Sequence, residues 1–146
     1  MAEICTGKLW DHLRNPRNVG YLPNSNVMAQ AGDPDSGASV LYLLEIDGET
    51  VRNMRFLARG CGVAVATSSV ATELVIGKSL DEVQALDHLA IADALGGLPK
   101  EKMYCAEMTI AALHAAVIDY RTGVDATLPS VPEHSHFEKG IAAVKR

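Results

Sequence analysis

The stretch Ser39-Val40-Leu41-Tyr42-Leu43-Leu44-Glu45-Ile46-Asp47-Gly48-Glu49-Thr50-Val51-Arg52-Asn53-Met54-Arg55-Phe56-Leu57-Ala58 decides the fold. Residues 39–46 are too short and too rich in β-favouring side chains to prefer a helix. Asp47-Gly48 is a hairpin signal. Residues 50–58 form the return strand, with Met54, Phe56 and Ala58 alternating with Asn53, Arg55 and Leu57. The next residues, Arg59-Gly60-Cys61-Gly62, end the strand and open a helical region.

Downstream of that junction the chain reads as helices. Residues 63–76 hold neither Gly nor Pro and stop at Gly77. Ser79 and Glu82 have capping-box spacing, which starts a helix over 80–85. Asp87 caps another over 88–95, closed by Gly96-Gly97. A long Ala-rich helix covers 104–121, and the tail from 123 holds Pro129, Pro132 and a short helix over 137–145. Upstream, residues 3–14 form a helix broken by Asn15-Pro16, and residues 21–38 read as a long irregular loop with a third strand over 26–30. Strands followed by helices predict an α+β domain, a small three-stranded antiparallel sheet with helices packed on one face. Residues 1–122 are expected to be one domain and 123–146 a C-terminal extension.

Composition narrows the function. The chain has 146 residues, 48% hydrophobic and 21% charged, with a net charge of −5. That is globular, long enough for one core, and too acidic for a general nucleic-acid binder. No apolar run reaches the length of a membrane span, and Met-Ala-Glu-Ile-Cys lacks the basic start and apolar core of a secretory signal. A cytoplasmic protein is expected, with neither nucleic acid nor membrane as partner. The three cysteines, Cys5, Cys61 and Cys105, are widely spaced, and no CxxC pair exists. The odd count in a reducing compartment argues against a disulfide framework, and the lack of CxxC excludes a zinc ribbon. No nucleophile-elbow or Ser-His-Asp pattern supports a hydrolase. His134-x-His136 could reach one metal ion but reads first as exposed tail.

Two cysteines stand at places suited to chemistry. Cys61 is flanked by glycines at a strand–helix junction, where the backbone can turn sharply and leave the thiol uncrowded. Cys105 opens the last long helix. A helix N-terminus favours thiolate, the form that binds metal or attacks sulfur. The competing reading of each is a small buried hydrophobe.

Several ordered motifs then resemble one family. Asp11-His12-Leu13-Arg14-Asn15-Pro16-Arg17-Asn18-Val19-Gly20 resembles the DHxxNPRNVG signature of the NifU/IscU iron–sulfur cluster assembly scaffolds. Gly60-Cys61-Gly62-Val63-Ala64-Val65-Ala66-Thr67-Ser68-Ser69 is similar to their GCGxAxAxSS segment, and Thr72-Glu73 through Asp81-Glu82 to TExxxGKSLDE. Ala112, Ala115, Ala116, Asp119 and Tyr120 fall where the family has its terminal helix. The likeness spans about residues 8–121. It implies an IscU/SufE-like α+β fold and a scaffold, not an enzyme. Such scaffolds take sulfur from a cysteine desulfurase as a persulfide, collect iron, build a [2Fe–2S] cluster and pass it to acceptor proteins. Their sites also accept zinc.

Three cysteines, an Asp and often a His form the family site. In this chain the first-cysteine segment reads Pro34-Asp35-Ser36-Gly37-Ala38, so Ser36 replaces the cysteine and Ala38 the Asp. Tyr104 replaces the His before the third cysteine, and only Cys61 and Cys105 match. The resemblance makes these two the metal ligands and Cys105 the candidate persulfide acceptor. Asp35, Ser36 and Cys5 are the candidates for further ligands. Two thiolates leave a tetrahedral ion short, so a cluster shared in a homodimer is expected. The alternative is a pseudo-scaffold that regulates or supports the assembly machinery without a cluster. Leu98-Pro99-Lys100-Glu101-Lys102 keeps only part of the LPPVK motif read by a dedicated chaperone. The resemblance also implies that Val40, Tyr42, Leu44, Ile46, Met54 and Phe56 face the helices. Leu41, Leu43 and Leu57 then form an outer patch too apolar for water, and the tail or a second subunit is the expected cover.

Overall fold

The hairpin at Asp47-Gly48 forms as its sequence predicts. The computed structural model describes residues 7–33, 38–60 and 62–123. In it β2 (Ala38–Asp47) and β3 (Thr50–Gly60) run antiparallel. Gly48 takes φ +64°, the left-handed region that favours glycine in a tight hairpin turn. The register shifts between Glu45 and Ile46: Glu45 pairs with Asn53, but Ile46 pairs with Val51. Strict alternation from Met54 would have turned Arg52 into the core. The shift instead buries Val51 and leaves Arg52 exposed beside Asp47, at 3.3 Å.

β1 (Val27–Asp33) pairs antiparallel with the other edge of β2, giving the order β1-β2-β3. It lies inside the stretch that reads as loop and extends past the expected 26–30. Ala29-Gln30-Ala31-Gly32 has weak strand propensity; the open edge of β2 supplies the hydrogen bonds that hold it.

One face of the sheet carries α1 (Gly7–Arg14), α2 (Gly62–Val75), α3 (Leu80–Ala85), α4 (His88–Ala94) and α5 (Met103–Thr122). Val40, Tyr42, Leu44, Ile46, Met54 and Phe56 form one core with residues of these helices, as expected. α2 is buried almost all round, and its Ala, Ser and Thr side chains let β3, α1 and α5 approach it closely. Ser79 and Glu82 make the reciprocal capping box, and Asp87 caps α4 through the Ala90 amide. The Ser79 amide, which donates to the Glu82 carboxylate, and then the Ser79 side chain hold that carboxyl below its ordinary range. No described helix is long and apolar enough to cross a membrane.

The opposite face is also sealed. Leu41 and Leu43 are 2% and 0% exposed and cluster with Leu22, Met28 and Leu57, with no helical residue among them. The Gly20 amide donates to the Phe56 carbonyl at the free edge of β3, and the Asn26 amide donates to the Leu44 carbonyl on the β1 side. Residues 20–26 therefore cross the sheet from edge to edge. Arg55 bonds the Tyr21 carbonyl at 3.0 Å, and Leu22 seats on the leucines. The cover that the described residues show is this crossover; the tail, with its expected helix and its two histidines, lies outside them. Trp10 and Tyr21, large aromatic side chains suited to packing in a core or groove, do not pack there. Both are exposed, Trp10 because Leu9 takes the inward position of α1, and Arg14 stacks over the indole.

Candidate functional site

Sheet register places the ends of two candidate segments side by side. Asp33 pairs with Ala38, and Ala38 pairs with Gly60. Asp33, Ala38 and Gly60 thus lie together at one end of the sheet. Cys61, Asp35, Ser36 and Cys5 themselves lie outside the described residues. The glycines around Cys61 serve different ends. Gly60 has φ +96°, which a side chain would strain. At Gly62 a Cβ would come within 3.0 Å of Leu13 Cδ2, so this glycine lets α1 pack on the start of α2.

Cys105 lies in the first turn of α5. The far end of that helix is anchored at the hairpin, where Arg121 Nη2 meets Glu49 Oε1 at 2.7 Å and Asp81 Oδ1 at 2.9 Å. From Arg121 the helix rises about 24 Å back to Cys105. Along β2 the same distance from Asp47 falls near Val40, at about 3.3 Å per residue. Cys105 therefore approaches the Ala38–Gly60 end of the sheet. Its side chain is 0% exposed. Tyr104, at the position of the family histidine, is 43% exposed. Among the described residues no three His, Cys, Asp or Glu side chains gather to hold a metal ion.

A ladder of hydroxyls lies beside Cys105 in the core. Tyr42 Oη is 2.8 Å from Ser68 Oγ and 2.9 Å from Thr109 Oγ1. Thr109 Oγ1 donates to the Cys105 carbonyl at 3.0 Å and is 3.2 Å from Thr67 Oγ1. Burial pushes the Tyr42 phenol up to about 12, against the opposing effect of its bonds to Ser68 and Thr109. It stays protonated, as a donor must. Sequence reading missed this group. Its signal was polar residues at core-facing positions, Thr109 one turn after Cys105 and Ser68 on α2.

The DHxxNPRNVG-like segment forms a second polar cluster. His12 is buried, with Nδ1 2.6 Å from Ser69 Oγ and Nε2 3.4 Å from Glu73 Oε1. The Arg17 amide donates to the same Ser69 oxygen at 2.9 Å. These contacts fit a neutral ring with the proton on Nε2 directed at Glu73, while Ser69 donates to Nδ1. Asn18 donates to Thr72 at 2.9 Å, and Asp11 and Glu73 flank the Arg17 guanidinium. His12 thus packs, and with Arg17 and Asn18 ties α1 and the Asn15–Asn18 turn to α2.

Burial, with Arg17 nearby, lowers the His12 pKa below 6.5, against the pull of Glu73 and Asp11. The folded state therefore disfavours the imidazolium that the unfolded chain accepts. Stability should be level above pH 6.5 and fall as pH drops from 6.5 toward the lowered value. Urea midpoints across that range check this, with His12→Gln as comparison. An equal slope in His12→Gln would assign the effect elsewhere.

The model of the NifU-like N terminal domain matches residues 4–126. The iron-sulfur cluster assembly scaffold protein IscU of Escherichia coli is 40% identical over 119 residues, covering 79% of this chain and 92% of that protein. The protein of the same description from Aquifex aeolicus is 39% identical over 115 residues, covering 77% and 73%. The crystal structure of a nitrogen-fixing NifU-like protein (N-terminal) from Brucella abortus superposes with a TM-score of 0.68 at 18% identity. It covers 82% of this chain and 96% of that one, and supports the α+β fold. The three-stranded sheet, the motifs along it and these matches agree: the chain belongs to the NifU/IscU family.

Proposed function

We propose that this protein is an iron–sulfur cluster assembly scaffold, with iron and sulfide, or the cluster they form, as its cargo. The observation that carries the reading is the match to named IscU scaffolds across more than three quarters of the chain. Residues 1–122 form the scaffold domain, and 123–146 are an extension largely beyond the family match at 4–126. Cys61 and Cys105 are the metal ligands, and Cys105 is the candidate acceptor of persulfide sulfur. Thiolates are soft donors that suit iron–sulfur clusters and also zinc. Asp35, Ser36 and Cys5 are the remaining candidates. Serine is a poor ligand at neutral pH because its alkoxide forms reluctantly, and Asp35 offers a harder oxygen.

A [2Fe–2S] cluster needs four ligands, and two protomers supply four thiolates. The cluster is therefore held in a homodimer. Light scattering should give twice the monomer mass for cluster-loaded protein and monomer after chelation. A fully loaded monomer would contradict this arrangement.

The partners are a cysteine desulfurase as sulfur source and apo-proteins as cluster recipients, in the cytoplasm. The test is transfer. The chain is loaded anaerobically with iron, cysteine and a desulfurase, reisolated and mixed with an apo-ferredoxin. Appearance of the ferredoxin spectrum at the expense of the loaded chain supports the scaffold. Failure of either step under conditions that load and discharge the Escherichia coli IscU would favour the pseudo-scaffold.

A further inference from the structure

We propose that Tyr42, Ser68 and Thr109 are positioning residues that set how readily Cys105 becomes exposed; its importance to function rests on Cys105 being a site thiol. Cys105 is fully buried, so a sulfur donor or metal ion reaches its thiol only when the residues around it move, the first turn of α5 that carries it among them. One turn further along α5, at Thr109, three elements meet through hydroxyls: β2 by Tyr42, α2 by Ser68 and Thr67, and α5 by Thr109. The Thr109 bond to the Cys105 carbonyl ties the ladder to the backbone of the cysteine itself.

Donor counting gives the ladder a direction. Each hydroxyl has one proton. If Thr109 gives its proton to the Cys105 carbonyl, Tyr42 donates to Thr109 and Ser68 donates to Tyr42. The run ends on α5 backbone with every proton used. Opening the turn takes the Cys105 carbonyl away from the Thr109 hydroxyl and leaves the end of the ladder unpaired inside the core, where an unpaired polar group is costly. The ladder therefore holds the turn shut while complete and loosens it when one member is lost. An apolar core at the same place would hold α5 without this all-or-none character.

The test is alkylation of Cys105 in the native full-length chain, with iodoacetamide as probe and peptide mass spectrometry to locate the label. Thr109→Val keeps the side-chain shape and deletes the hydroxyl; Tyr42→Phe removes one oxygen. Val51→Ala, at the hairpin end of the sheet, is the control for general destabilisation, compared at matched urea midpoint. Thr109→Val and Tyr42→Phe should label Cys105 about tenfold faster than the control. Thr109→Ser should return the rate to within about twofold of the parent chain. If Thr109→Val does not fold, Tyr42→Phe and Thr109→Ser carry the comparison. Rates that follow urea midpoint alone, whichever residue is changed, would overturn the proposal. So would a Thr109→Ser chain that labels as fast as the other two variants. Labelling needs no metal, so a chain that labels as expected yet never loads iron would refute the scaffold reading and leave the positioning role standing.

Discussion

Leu41→Lys with Leu43→Lys is expected to unfold the protein at room temperature. Both leucines lie at the centre of β2, sealed under Leu22. Each loses about 1.5–3 kcal/mol of burial on replacement. Two ammonium groups must then stay under the crossover without counter-charges or force it open, which adds several kcal/mol. The sum is of the same order as the roughly 5–15 kcal/mol that holds a domain together. Leu57→Lys should cost less than about 2 kcal/mol, because Leu57 is only half-buried and a lysine there can extend to water. Urea denaturation followed by circular dichroism reads both. A double variant that melts like the parent chain would mean that residues 20–26 do not seal the sheet.

The second large effect is a gain. Ser36→Cys with Ala38→Asp restores the family's first cysteine and its carboxylate on the segment joining β1 to β2. If Cys61 and Cys105 are the ligands proposed above, a third thiolate completes a set that a tetrahedral ion accepts. Affinity for zinc, the simplest probe of the site, should rise on the order of a hundredfold, with a steeper pH dependence as one more thiol is deprotonated. Competition against a chromophoric chelator measures it. Unchanged affinity would mean that the segment no longer brings residue 36 to the other thiols.

How much of this was legible in the sequence depended on whether local chemistry or distant contacts decide a feature. Ser79, Glu82 and Asp87 cap their helices through neighbours three residues away, so α3 and α4 could be read directly. The β2–β3 hairpin carries its own turn signal. β1 was legible only in part, because Ala29-Gln30-Ala31 becomes a strand by pairing with an edge that lies later in the chain. The register shift that turns Arg52 outward has no local mark. The burial of Leu41 and Leu43 followed from the face that the resemblance assigns to the helices, but not its cover, because Leu22 sits in a stretch with the look of an ordinary loop. At the candidate site, family motifs pointed to Cys61 and Cys105, whereas the ladder under Cys105 joins residues 26 and 67 positions apart and emerges only from the fold.

Iron and acid-labile sulfide per chain, after anaerobic reconstitution, test the central claim most directly. The parent chain should bind iron and sulfide in equal amounts, develop visible absorption of a cluster and lose both on chelation. Cys61→Ser and Cys105→Ser should each remain colourless while keeping the parent circular dichroism. A parent chain that stays colourless, or serine variants that load as well as the parent, would contradict a scaffold built on these two thiols.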